Sequence, residues 1–446
     1  MVQSLTAADT PTSVTVGGRV PALALLLLPG GPKCCGYSMN PGKAVFGVHV
    51  NHLESYKRQF LMLKRYAKNT GVMKISSVVA VFLISLQSFY FHTIGASLLT
   101  VFGSVLLLAT GLSRIFFSPR MILFLVAVFF FFTYHSFVSI YSHSSYSPLF
   151  SFVVTVFTVC GAFFVFSNNP RLLTDVLGLV ISIHIFFYLL QVVYWFTFGE
   201  YLDFLEPVTG DTQRYSSQKG MLLDGERVPR FTGLFNEPGS YSTYLFSLAA
   251  VRFLAVRKLD RILIFALASM VLSFSLFGIV LSFLFLVFAL FVVRERRTVW
   301  FLAPLFLVAA YVIFPEVERR LSSDFSGLDG RFQVVDNIFI LRNFLYGSLS
   351  YGEASFAAND TGVFLFLLSY GGIGELLVFL IVVVSVLYSR GWIAACVLIM
   401  ILSTKIKINY PMLWFVMACI VIAGSRTQLY YNNASFKNVK AGPSLS

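Results

Sequence analysis

The sequence predicts an all-α polytopic integral membrane protein of about 12 transmembrane helices, with both termini cytoplasmic and two long loops on the outer face. Three observations predict it. Of 446 residues, 57% are hydrophobic and only 12% charged, against roughly a quarter charged in soluble domains. There are 49 Phe, and the mean hydropathy is +0.80. Apolar runs of about 20 residues, each able to cross a hydrocarbon core of roughly 30 Å, recur along most of the chain.

In chain order the runs lie at about 74–91, 94–113, 121–140, 147–166, 175–197, 240–256, 262–277, 279–293, 299–314, 362–388, 391–404 and 408–424. Residues 262–293 form one apolar run, too long for one ordinary helix, and it is expected to break near Ser275–Gly278. The run at 391–404 is short, and reads as tilted, re-entrant or packed behind its neighbours. Arg114 and Arg120, Arg171, Arg257 with Lys258 and Arg261, Arg294 with Arg296 and Arg297, and Arg390 all fall on one side of this arrangement. That side is cytoplasmic by the positive-inside rule. Lys405 and Lys407 are the exceptions, falling outside.

Residues 1–72 stand apart from the transmembrane domain at 73–425 and the cytoplasmic tail at 426–446. Their apolar run at 20–29 is too short to span, and 51–69 suits a basic amphipathic helix on the inner leaflet. The alternative is a start at Met73, directly ahead of the first span. Cys160, Cys396 and Cys419 lie in apolar runs and read as small hydrophobes. Cys34 and Cys35 lack partners at metal-ligand spacing. No zinc, P-loop or dinucleotide motif is present, so no metal and no cofactor is expected. The net charge of +13 follows topology rather than any nucleic-acid surface.

The outer loops at 199–239 and 315–361 carry seven acidic and four basic residues each, 14 of the chain's 20 acids. Connections are usually short, and loops on a rigid scaffold are where function concentrates, so these two form the candidate active site. In "RFTGLFNEPGSYSTYL", Arg230 to Leu245, an arginine and a carboxylate sit at the mouth of a span. Two roles are open for Glu237. With Asn236 as cap and Pro238 in the first turn it completes a helix N-terminus; alternatively it is a base for a hydroxyl. Arg227 and Arg230 precede it; in the second loop Arg319, Arg320, Arg331 and Arg342 repeat the theme. Arg319 and Arg320 suit lipid phosphates on a solvated helix, whereas Arg230 and Arg331 are functional candidates. A guanidinium binds phosphate oxygens bidentately and stays charged, and on the outer face the expected phosphate is a lipid headgroup or a lipid-linked pyrophosphate. Tyr201, Tyr215, Tyr241, Tyr346 and Tyr351 could stack on sugars or anchor at the interface. Within the spans, His135 and His184 read as interhelical hydrogen-bonders, Arg252 as snorkelling to the cytoplasmic side, and Glu375 as structural beside "YGGIG".

Three stretches carry a resemblance. "RFTGLFNEPGSYSTYL", "GRFQVVDNIFILRNFLYGSLSYG" and "NDTGVFLFLLSYGGIGEL" resemble segments of Wzy-type O-antigen polymerases. Arg331 and Gly347 stand at the Arg-x15-Gly spacing described for such proteins. The resemblance implies a glycosyltransferase at the periplasmic face of a bacterial inner membrane. It would transfer a growing glycan from undecaprenyl pyrophosphate to an incoming lipid-linked repeat unit. Arg230 and Arg331 would then hold pyrophosphate and Glu237 would be the base, with Arg227, Arg342, Gly233, Gly347, Tyr241 and Tyr351 around the substrate. A chain-length regulator and a flippase are the implied partners. O-antigen ligases, which share this topology, resemble one another in a histidine of the second large loop; here the six histidines (49, 52, 92, 135, 143, 184) all lie elsewhere. A flippase of the same lipid-linked sugar is the third reading; it needs polar groups lining a cavity, while this chain concentrates its charge in two loops.

Overall fold

A computed structural model describes residues 15–16, 18–19, 71–86, 98–115, 117–141, 148–210, 212–213, 221–223, 226–228, 230–293, 304, 307, 311, 314, 340–347, 362–388 and 391–423. The chain divides into two units, Met1–Ala67 and Lys68–Ser446. In the first, Thr15–Val16 (β1) pairs antiparallel with Gly18–Arg19 (β2).

The second unit is helical. Its elements are α1 (Gly71–Ser85), α2 (Leu98–Gly111), α3 (Pro119–Tyr141), α4 (Pro148–Phe166), α5 (Pro170–Phe198), the single turn α6 (Glu206–Thr209), a small hairpin of β3 (Met221–Leu223) and β4 (Glu226–Val228), then α7 (Pro238–Val256), α8 (Arg261–Leu272), α9 (Leu276–Val293), the short α10 (Leu341–Tyr346), α11 (Gly362–Leu387) and α12 (Trp392–Leu402), and finally α13 (Pro411–Ala423). Helix occupies eleven of the twelve predicted segments; the twelfth, 299–314, lies almost wholly outside the described residues. Among the described residues four helices, α3, α4, α5 and α11, are long and apolar enough to cross a membrane, and most of the rest are shorter apolar helices.

The helix ends follow local chemistry. Five helices start on proline, whose missing N–H costs nothing in a first turn. Asn169 accepts from Leu172 N at 3.3 Å and Asp260 from Leu263 N at 3.0 Å, capping α5 and α8. α5 ends on Gly199 at φ +70°. The break expected near Ser275–Gly278 falls at Ser273–Ser275, where Phe274 takes φ +50°.

Packing is close where side chains are small. A Cβ on Gly103 would lie 2.7 Å from Ala80 O, and one on Gly161 2.7 Å from Leu108 N. Thr158 donates to Ser104 at 2.8 Å between α4 and α2. Apolar side chains also face outward, as on a lipid-facing surface: Phe129, Phe130 and Phe137 on α3, and Phe186, Val193 and Phe196 on α5, are exposed. The core centres on α7, buried at every residue from Tyr241 to Leu254, with α5, α8, α9 and α12 around it.

Arg252 does not snorkel to water. Its guanidinium donates to Asp260 at 2.5 and 3.2 Å and to the Thr174 carbonyl, and Gly178 leaves room for it. This cluster marks one end of the bundle. At the other, Ser242 of α7 touches Gly278 of α9, so the two helices run the same way. α9 therefore leaves toward the Arg252 end. α11 starts at the opposite end, since Gly362 abuts Leu402 and Ser403 beside the Lys405–Glu237 pair.

Candidate functional site

The stretch from Arg230 to Glu237 is pinned to the end of the bundle by two buried glutamines. Gln191 lies on α5, two turns before its end. Its Oε1 accepts from Thr232 N (3.0 Å) and Gly233 N (2.8 Å). Its Nε2 donates to Leu202 O and to Gln213 Oε1, both at 2.8 Å, with Tyr201 Oη further off at 3.3 Å. Gln213 passes the connection on, donating to Gly233 O and Phe235 O at 2.9 Å. Asp203 holds Gln213 N at 2.7 Å and caps α6 through Leu205 N and Glu206 N. Buried amide groups need partners, and here each glutamine satisfies the backbone of a segment that has no regular structure of its own.

Gly233 sits at φ +59°, the left-handed region open to glycine, and a Cβ would lie 3.4 Å from Tyr188 N. The segment also plugs into the core: Phe231, Leu234 and Phe235 are buried, and Phe235 stacks on Tyr244 with centroids 5.3 Å apart. Tyr201 stacks along Phe231 and meets Thr232 Oγ1 at 3.3 Å. Burial pushes its phenol up to about 12, against the lowering effect of the hydrogen bonds from Thr232 and Gln191. It stays neutral at physiological pH.

Arg230 is buried, with 7% of its surface exposed. Seven residues on, Glu237 rather than Asn236 is the N-cap of α7, in extended conformation, and its carboxylate does not cap the helix. Its Oε1 instead accepts from Ser240 Oγ at 3.3 Å and faces Lys405 Nζ at 3.5 Å. Glu237 therefore has its carboxylate turned to side chains and not to the helix backbone. Lys405, an exception to the charge rule in the sequence, is the cation beside it.

The other expected site residues divide. Arg227 lies on β4 opposite Leu222. Tyr241 is fully buried, stacked on Tyr188 at 5.2 Å and donating to Ser269 at 2.8 Å, so it offers no face to a sugar in this arrangement. Arg342 and Gly347 lie on and after α10, Arg342 exposed and Gly347 at φ +79°. α10 packs on the kink of α11, where Gly372 has φ +67° and ψ −162°. Arg331 and Tyr351 lie outside the described residues.

Two polar pairs inside the bundle complete the picture. His135 Nδ1 is hydrogen-bonded to Glu375 Oε1, joining α3 to α11, and both are buried. Ser85 and His184 Nε2 meet at 2.8 Å between α1 and α5. Gln191, Gln213 and Lys405 escaped sequence reasoning. A lone polar residue in an apolar run was the available signal for Gln191, and two lysines on the outer side were the signal for Lys405. No cluster of three metal-ligating side chains occurs among the described residues.

Removing the acceptor at Gln191 is expected to free the arginine segment without unfolding the helices. Each backbone group orphaned in Gln191→Leu costs about 1–3 kcal/mol. Trypsin should then cut after Arg230 at least about tenfold faster than in the parent, since local opening governs cleavage. Unchanged cleavage kinetics would show that the glutamines do not hold the segment.

No family model, no curated protein and no solved structure matches the chain.

Proposed function

We propose that this protein is a membrane glycosyltransferase that polymerises lipid-linked oligosaccharide repeat units at the periplasmic face of a bacterial inner membrane. The observation that carries the reading is the mouth of α7. A carboxylate turned to side chains and a lysine meet there at the end of an apolar bundle, and a buried arginine opens the pinned segment that leads into it. Fixed cations at such a place suit a phosphate that arrives by lateral diffusion in lipid. The identity of the glycan rests on the resemblance to O-antigen polymerases.

In this reading Arg230, with Arg331 from the second loop, holds the undecaprenyl pyrophosphate of the donor. An acceptor hydroxyl of the incoming unit forms a bond to the anomeric carbon of the growing glycan. The bond from that carbon to the phosphate oxygen breaks, and the pyrophosphate leaves with the electron pair. Preorganised cations stabilise the charge that builds there. Glu237 takes the hydroxyl proton, at the distance of a direct hydrogen bond or one water. Arg342 and Gly347 belong to the second loop's contribution, with α10 seated on α11.

The test is the surface glycolipid ladder of a deletion strain complemented with wild type, Glu237→Ala or Arg331→Ala. Wild type is expected to restore the ladder, and each variant to leave a single repeat unit on the lipid core, a loss of at least about 100-fold in chain extension, as for a removed acid–base group at Glu237 or a removed stabiliser of the leaving group at Arg331. Bare core with polymer held on its carrier would assign a ligase, and bare core with units trapped inside a flippase. A full ladder from either variant removes that residue from the site.

A further inference from the structure

Lys405 is the charge that fits least well with topology and best with the site. The connection between α12 and α13, residues 403–410, carries two charged residues, Lys405 and Lys407. It lies at the Glu237 end, away from the end where Arg252 and Asp260 meet. Thr404 Oγ1 donates to Ile401 O at 2.6 Å, and Trp414 Nε1 donates to Ile408 O at 2.7 Å, so both flanks of the turn are tied to the helices. The Lys405 side chain runs along the first turn of α7. A Cβ on Gly239 would lie 3.3 Å from both its Cε and Nζ, so glycine makes the lane it occupies. Lys405 and Glu237 side chains are each about one-fifth exposed, 19% and 21%, and their 3.5 Å separation is longer than the roughly 2.7–2.9 Å of a tight charge-assisted hydrogen bond.

We infer that Lys405 is an anion-binding residue of the site, which takes a phosphate oxygen of the lipid-linked pyrophosphate, and that its pairing with Glu237 gives way when that pyrophosphate binds. The inference rests on the function proposed above. Pyrophosphate oxygens compete with the Glu237 carboxylate for the same ammonium, and once they take it Glu237 keeps the Ser240 hydroxyl from among these partners and is released toward the acceptor. Arrival of the donor and release of the carboxylate are then one event.

The experiment measures binding of sugar-free undecaprenyl pyrophosphate to the purified full chain in phosphatidylcholine nanodiscs. Wild type is expected to bind, Lys405→Ala about tenfold more weakly, as loss of one charge-assisted contact implies, and Lys405→Arg close to wild type. Glu237→Gln, which removes the competitor for Lys405, is expected to bind about threefold more tightly, a gain that misfolding cannot produce. The double variant should match Lys405→Ala. Equal binding by wild type and Lys405→Ala, or weaker binding by Glu237→Gln, overturns the role of Lys405 while leaving the function standing. No binding by wild type overturns both. If phosphatidylglycerol at about one-fifth of the bilayer displaces the probe from wild type but not from Lys405→Ala, the lysine is a contact for bulk lipid headgroups, and the inference falls.

Discussion

Gly372→Ala is expected to detach α10 from α11 and leave protein that aggregates on extraction from the membrane. Gly372 stands at φ +67°, ψ −162°, a region that is essentially glycine-only and costs other residues about 1–3 kcal/mol. The space is closed as well: a Cβ would lie 2.5 Å from Leu345 O, 2.6 Å from Leu345 C and 2.8 Å from Gly347 N. All three are backbone atoms and cannot rotate away, so overpacking adds about 1–3 kcal/mol. The sum is a large share of a typical stability of about 5–15 kcal/mol. Gly374→Ala is the control two residues on. There a Cβ meets the Tyr134 hydroxyl, the far end of a side chain that can swing aside. Size-exclusion profiles in detergent separate the two: a monodisperse Gly372→Ala would mean that the close approach of α10 is not needed.

Glu375→Ala is expected to cost about 3 kcal/mol. The carboxyl group is fully buried, and its Oε1 is bonded to His135 Nδ1. His135 is stacked on Phe131 with centroids 5.5 Å apart and tilted against Tyr370 at the same distance. Two magnitudes compete. Hydrogen bonds between membrane helices average about 0.6 kcal/mol, whereas a buried polar group that loses its partner costs about 1–3 kcal/mol and a cavity adds to that. The larger sum wins because truncation removes this acceptor and leaves a cavity lined by rings. Glu375→Gln keeps the shape and an acceptor oxygen, and should cost about 1 kcal/mol. Thermal unfolding of the three proteins in one detergent measures both. Equal losses for Ala and Gln would show that charge, not the hydrogen bond, is what His135 needs.

The helices were legible in the sequence because apolarity over about 20 residues is a local property. Their starts were legible to within about three residues where proline opens α3, α4, α7 and α13, but α5 begins at Pro170, capped by Asn169, five residues before the expected 175. Phe274 moved the break in 262–293 only slightly upstream. Contacts between helices were not legible. A helix that is apolar all round carries no stripe to say which face meets which neighbour, so the pairing of His135 with Glu375 across 240 residues left no trace in periodicity. The site was half visible. Arg230 and Glu237 announced themselves as charges beside an apolar run, but a charge says nothing about its partner, and Lys405 lies 168 positions away from Glu237. Gln191 and Gln213 are neutral and spaced by 22 residues; nothing in a linear pattern marks them as a pair. Tyr241 misled for the opposite reason: an aromatic near a membrane mouth reads as available, and only packing shows that Tyr188 and Ser269 have already claimed it.

The helix at the centre of the fold is not among the four that are long and apolar enough to span, although α7 has 19 residues. It carries Ser240, Ser242, Thr243, Ser247 and Arg252, a polar load that lowers its apolarity along most of its length, although Arg252 stands near its end, where an arginine costs less than the roughly 2.5–3.5 kcal/mol of a helix centre. Released alone from the ribosome into lipid, α7 would be the least welcome segment of the bundle. What makes it tolerable is company: α5 offers the Thr174 carbonyl, and Asp260 stands at the start of α8. α7 is therefore expected to insert less readily alone than when followed by α8, which glycosylation mapping of the two segments in microsomes measures; equal insertion would show that Asp260 is not needed. The helix that begins at Glu237 thus draws part of its place in the bundle from a segment that follows it in the chain.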